Sequence, residues 1–174
     1  AYMDFCRDQS AYSLLSRFRD FPNPVILRTF SKSFGLAGIR LGYGIMPPAL
    51  GNALRSVHMP FSVNILAEAA GIAALEDTVF YRTTLETVWE GRDLLAAGLE
   101  ELGCRVYPSH TNFLMFSLPD DCRKNAADVF QTLLSRGMII RPLASYGLER
   151  HLRVSMGSPE ENRIFLSLMR EVLA

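Results

Sequence analysis

The sequence predicts an α/β protein in two parts, with the remnant of a large, mostly parallel sheet domain first and a small α+β domain after it. Three observations carry this. The run Val25–Ile26–Leu27 is apolar at successive positions, as in a strand covered on both faces, and leads into a polar, glycine-rich segment. A long helical pattern from Thr78 to Leu102 follows. Beyond it the period changes to short strands interleaved with amphipathic helices. We place the boundary at the start of the long helix, giving residues 1–78 and 79–174.

Composition bounds the chain before any element is read. Its 174 residues suffice for one good core or two small ones, and half of them are apolar. The formal net charge is zero, which leaves no electrostatic footprint for nucleic acid or an anionic membrane. No apolar run approaches the roughly 20 residues that span a bilayer. Cys6, Cys104 and Cys122 are odd in number and widely spaced, fitting neither a disulfide framework nor a CxxC metal site, so a reducing cytoplasm is expected. His58, His110 and His151 are equally scattered, without metal-ligand spacing.

In chain order, Ser10–Arg19 reads as a short helix with Leu14, Leu15 and Phe18 on one face. The breaker FPNP precedes a strand over Val25–Phe30. Arg40–Met46 reads as another strand, stopped by Pro47 and Pro48, and Ala49–Val57 as a helix. Asn64–Glu76, rich in Ala and apolar residues, predicts a helix packed in the core. The long helix carries Leu85, Val88, Trp89, Leu95, Leu99 and Leu102 on one stripe and stops at Gly103. Strands are predicted at Arg105–Tyr107 and Phe113–Leu118, then a helix over Ala126–Arg136 that Gly137 ends. Further strands are predicted at Met138–Leu143 and Leu152–Met156. Ser158–Pro159–Glu160–Glu161 combines an N-cap Ser, a Pro at N1 and a Glu at N3, the signature of a capped final helix.

Lys32 is the residue most suggestive of chemistry. The chain contains two lysines, Lys32 and Lys124, against sixteen arginines. Where Arg is the default cation, a Lys flanked by serines points to a need for an amine, because an amine can lose its proton and attack a carbonyl. Thr29 and Ser31 offer hydroxyls and Arg40 a forked donor, a set that suits a phosphate at the carboxyl end of a strand. The segment is neither GxGxxG nor a Walker A loop. From the residues alone, a ligand site and a tight structural turn both remain open. In LRVSM, Arg153 lies on the face opposite Leu152, Val154 and Met156, which leaves a solvated surface Arg and a binding Arg equally open.

The stretch SKSFGLAGIRLGY resembles the lysine segment of fold-type I, pyridoxal-phosphate-dependent aminotransferases, with Lys, Gly, Ala-Gly, Arg and Gly-Tyr in register. MPFSVNILAEAAGIAALED, TNFLMF, GMIIRPLASYGL and HLRVSMGSPEEN resemble the histidinol-phosphate aminotransferases in particular, and AYMDF resembles the segment after that family's Asp. The resemblance covers essentially the whole chain. It implies the C-terminal portion of such an enzyme: the end of the cofactor-binding domain over 1–78, then the inter-domain helix and small domain over 79–174. It assigns Lys32 the Schiff base with pyridoxal phosphate, Thr29, Ser31 and Arg40 the cofactor phosphate, and Tyr2 the ring 3′-oxygen. It assigns Arg153 a substrate carboxylate and makes Arg141 a weaker candidate for the substrate's distal end. Asn64, Tyr43, Asn112 and Tyr146 are read as structural polar groups. The implied reaction converts histidinol phosphate and 2-oxoglutarate to imidazole-acetol phosphate and glutamate, in a homodimer, with no nucleic acid, membrane or metal involved. About half the family's usual length is absent on the N-terminal side, so these 174 residues alone are expected to bind cofactor weakly and not to transaminate. Alternatives are a threonine-phosphate decarboxylase, an aromatic aminotransferase, the ligand-sensing domain of a transcription regulator, and a phosphate-binding module without Schiff-base chemistry.

Overall fold

The computed structural model describes residues 1–174, which form two compact units, Ala1–Leu85 and Glu86–Ala174. The division falls inside the long helix, seven residues beyond the boundary expected from the sequence.

The first unit opens with a single 3-10 turn at Met3–Phe5, then α1 (Gln9–Tyr12) and a 3-10 segment over Leu14–Asp20. The single helix predicted over Ser10–Arg19 is therefore two pieces. Asp8 caps the first, accepting from the Ala11 N–H at 3.1 Å, and Ser13 caps the second, accepting from the Leu15 N–H at 3.2 Å. Ser13 takes extended backbone angles to do so, and that interrupts the helix.

Strands β1 (Ile26–Thr29) and β2 (Gly42–Ile45) pair antiparallel, with Ile26 opposite Ile45 and Thr29 opposite Gly42. The expectation that the apolar run is a strand buried on both faces is corrected here, since Leu27 is 70% exposed. The 30–41 connection holds only a three-residue 3-10 turn, Ala37–Ile39, and no crossover helix of the kind that joins parallel strands. Strand contact at Gly42 is close: a Cβ there would meet the Arg28 carbonyl oxygen at 2.8 Å. Helices α2 (Pro48–Val57) and α3 (Ile65–Glu76) follow. Asn64 is the N-cap of α3, accepting from the Ala67 N–H at 2.8 Å. The prediction that α3 lies in the core is also corrected, because only Ala67 and Gly71 are buried while Ile65, Leu66, Ile72 and Leu75 are exposed. The helix is apolar on every side, so hydropathy cannot say which side meets a neighbour.

The 24-residue α4 (Thr78–Glu101) spans the division between the units. Gly103 follows it at φ +79°, a left-handed conformation that side-chain-bearing residues rarely adopt, and the Cys104 N–H closes the end onto the Leu99 carbonyl.

The second unit is a four-stranded antiparallel sheet in the order β3 (Arg105–Val106), β4 (Phe113–Ser117), β6 (His151–Ser155), β5 (Arg141–Pro142). Of the strand predicted over Met138–Leu143, only Arg141–Pro142 pairs. Pro142 brings no N–H to the ladder, and Met138 is occupied closing the preceding helix onto Leu133. Helices α5 (Ala126–Ser135) and α6 (Pro159–Leu173) complete the unit. Leu114 and Phe116 of β4 alternate with half-buried residues and join Leu152, Val154, Leu95, Leu99, Val129, Leu133, Phe165 and Met169 in one buried cluster. Buried Asn162 of α6 both donates to and accepts from Gly157, at 3.1 and 2.9 Å, and fixes the turn after β6. No helix is long and apolar enough to cross a membrane.

Candidate active site

Strand β1 ends at Thr29, and a tight turn carries Ser31, Lys32 and Ser33. The Gly35 N–H donates to the Lys32 carbonyl at 3.0 Å, and the Leu36 N–H to the Phe30 carbonyl at 3.0 Å. Gly35 closes this turn at φ +69°, which favours glycine. Thr29 Oγ1 accepts from the Ser31 N–H at 3.0 Å, so the Thr hydroxyl keeps its own proton free to donate. Side chains alternate sharply in this turn: Phe30 and Ser33 are buried, while Lys32 points outward.

Lys32 Nζ lies 5.6 Å from the centroid of the Tyr2 ring. The first unit therefore brings together the amine and the phenol singled out in the sequence, although thirty residues separate them. Arg40 sits at φ +62°, a strained conformation for a residue with a side chain, and its guanidinium donates to the Ala37 carbonyl at 2.6 Å. It is exposed, beside the turn that carries Ala37–Ile39.

Asp4, Arg28 and Ser33 were not singled out in the sequence. Asp4 Oδ1 accepts from Arg28 Nη1 at 3.1 Å and Oδ2 accepts from Ser33 Oγ at 2.5 Å. The partners lie 24 and 29 residues from Asp4, beyond any local pattern. The one available hint was a Ser directly after the candidate Lys.

In the second unit, Arg141 and Arg153 are direct cross-strand partners on β5 and β6, and Met115 of β4 pairs Arg153 on its other side. Neither guanidinium is paired with a carboxylate. The Arg153 guanidinium carbon lies 4.8 Å from the centroid of the Phe113 ring. That of Arg141 lies 5.6 Å from Tyr146, whose hydroxyl accepts from Nη2 at 3.1 Å. Two like charges directly opposite on a sheet repel each other, so this face is suited to an anionic ligand between or above them. Of the residues read as structural, Asn112 accepts the Met156 N–H through its main-chain carbonyl, and Tyr43 packs edge-on to Phe30 at 6.0 Å.

The donors in the first unit are one amine, two hydroxyls, a phenol and a guanidinium. The nearby carboxylate, Asp4, is neutralised by Arg28 and accepts a hydrogen bond from Ser33. This set fits an aldehyde bearing a phosphate and does not fit a cation.

Fold and site define a class. The chain belongs to the class I and II aminotransferase family, whose model matches residues 1–168. Within that class it is similar to the histidinol-phosphate aminotransferase of Nitratidesulfovibrio vulgaris strain DP4, 61% identical over 99% of this chain and 45% of that protein. It is 55% identical to that of Oleidesulfovibrio alaskensis, over 99% of this chain and 45% of that protein. Among solved structures, the histidinol-phosphate aminotransferase of Clostridium acetobutylicum superposes with a TM-score of 0.88 at 26% identity, over 99% of this chain and 52% of that one. That of Sinorhizobium meliloti, in complex with pyridoxal-5′-phosphate, gives 0.85 at 28% identity, over 99% and 47%. The chain thus spans about half the length of the relatives it matches. Its fold is the corresponding portion of a fold-type I aminotransferase.

Proposed function

We propose that these residues are part of a pyridoxal-phosphate-dependent aminotransferase that interconverts histidinol phosphate and 2-oxoglutarate with imidazole-acetol phosphate and glutamate. The observation that carries the reading is the outward Lys32 amine beside the Tyr2 ring, on a turn that also carries Ser31 and directly follows Thr29. The names of these relatives support the substrate.

In this reading Lys32 attaches the cofactor covalently, Thr29, Ser31 and Arg40 hold its phosphate, and Tyr2 donates to its ring oxygen. When bound, pyridoxal phosphate supplies an electron sink for the bond broken at the substrate's amine-bearing carbon. The Lys32 amine, freed for the purpose, would serve as the general base for the proton on the substrate's amine-bearing carbon. Arg153 binds the anionic end of the substrate as a forked donor, and Arg141 binds a distal anionic group. The domain assignment follows: residues 1–78 close the cofactor-binding domain and 79–174 form the inter-domain helix and small domain. The enzyme acts as a cytoplasmic homodimer, and the 174 residues alone bind cofactor weakly.

The test uses the full-length protein that carries this chain. Borohydride reduction with pyridoxal phosphate, followed by peptide mapping, is expected to label Lys32, and histidinol phosphate with 2-oxoglutarate is expected to yield glutamate. Labelling of another residue, or none, overturns the cofactor assignment. Release of CO2 from a phosphorylated amino acid without amine transfer would move the protein to the decarboxylase branch of the same fold.

A further inference from the structure

We propose that Asp4 and Ser33 are positioning residues that hold Lys32 and Tyr2 in mutual register, an inference that rests on Lys32 being the cofactor-bearing residue. Ser33 directly follows Lys32 and is 0% exposed. Its Oγ donates to Asp4 Oδ2 at 2.5 Å, and the other oxygen of the same carboxylate accepts from Arg28 Nη1 at 3.1 Å. Arg28 Nη2 in turn donates to Ser13 Oγ at 3.4 Å, and Gln9 Nε2 donates to the Asp4 carbonyl at 3.4 Å. One carboxylate therefore joins three pieces of chain: the turn that bears Tyr2, the strand that leads to Lys32, and the turn that bears Lys32.

Geometry argues for positioning over simple stabilisation. The Asp4 and Arg28 side chains are only 17% and 11% exposed, so both charges are largely desolvated. Such pairs add little net stability compared with apolar residues of the same size, yet they fix relative placement through directional bonds. Lys32 and Ser33 point to opposite sides of the turn. Locking Ser33 inward sets the direction in which the Lys32 Cα–Cβ bond leaves the backbone. Tyr2 lies two residues before Asp4 in the same turn, which the Phe5 N–H closes by donating to the Tyr2 carbonyl at 3.1 Å. The long lysine side chain is then a flexible link between a fixed backbone and the ring 5.6 Å from its amine. Reaction rates respond steeply to such placement, with a shift of about 1 Å costing up to roughly a hundredfold.

The test compares wild type, Ser33→Ala, Asp4→Asn and the double variant of the full-length protein, well below their melting temperatures. Apoprotein is mixed with pyridoxal phosphate, and the rate of appearance of borohydride-trappable Lys32 is measured, with Tm recorded in parallel. Each single variant is expected to slow attachment about tenfold, and the double variant no more than the slower single, as for two ends of one interaction. A lower Tm with an unchanged attachment rate overturns the proposal, and so do multiplicative effects in the double variant. Absence of trapping in wild type defeats the cofactor reading instead. The tie is then judged by amide exchange, which should rise together over residues 2–5 and 31–35 in either single variant. A rise in one segment alone overturns it.

Discussion

At the scale of single residues, the informative side chains are those whose charge or reactivity is set by what surrounds them. Arg153 and Arg141 face each other across β5 and β6 without a carboxylate, each resting near an aromatic ring. A lysine at 153 would keep the charge but lose the planar fork and the stacking on Phe113. In the full-length protein, with Arg153 binding the substrate as proposed, Arg153→Lys is therefore expected to raise the KM of the anionic substrate by about tenfold, corresponding to about 1.4 kcal/mol, with a smaller change in kcat. Steady-state kinetics check this, and an unchanged KM would remove Arg153 from the substrate site. Cys104 is a contrasting case. Burial, and to a lesser degree the neighbouring Cys122, pushes its thiol from the ordinary 9.0 up to about 12. Alkylation requires the thiolate, so iodoacetamide at pH 8 should label Cys122 and spare Cys104 until denaturant is added. Mass mapping of the adducts decides it. The sign for stability follows: between about 9 and about 12 the unfolded chain loses the Cys104 proton while the folded chain keeps it, so stability falls as pH rises through that window.

At the scale of elements, what could be read from sequence was what is decided within one turn of chain. Ser158 Oγ accepts from the Glu161 N–H at 3.3 Å while Glu161 accepts from the Ser158 N–H at 2.7 Å, which closes the box the sequence spelled out at the start of α6. Hydrogen bonds from the Ser158 N–H and then its side chain hold the Glu161 carboxyl below the ordinary 4.5. Its contribution is therefore present above the ordinary carboxylate range and is lost as pH falls through the lowered value. Ser158→Ala should destabilise the second unit by about 1 kcal/mol, read from a urea midpoint at unchanged m-value. A variant as stable as wild type would mean that Pro159 and Glu161 suffice to start the helix. Lys32, Thr29 and Ser31 could be found the same way, as neighbours along one turn. Asp4, Arg28 and Ser33 could not, because their association depends on the fold bringing together residues 24 and 29 positions apart. The burial of β1 and α3 was equally beyond reach. An apolar segment states that it can be covered, whereas the element that covers it is written elsewhere in the chain.

At the scale of the whole molecule, apolar burial is divided unequally between the two units. The large buried cluster runs from Leu95 to Val172 and lies entirely in the second unit, where strands β4 and β6 and helices α4, α5 and α6 contribute to it. In the first unit the fully buried apolar side chains are few, chiefly Phe5, Cys6, Phe30 and Ala67, and α3 turns Ile65, Leu66, Ile72 and Leu75 to solvent. At about 25 cal/mol per Å² of apolar surface removed from water, the second unit holds most of the hydrophobic stabilisation. Local opening should follow the same division, since segments with few buried contacts open at free energies well below global unfolding. Hydrogen exchange on the 174-residue chain is therefore expected to be slow over β4, β6, α5 and α6 and much faster over α2 and α3. With rising urea, the first unit should lose protection before the second. A single coincident transition for both units would show that the chain unfolds as one cooperative body, and that the exposed apolar faces of the first unit carry no penalty of their own.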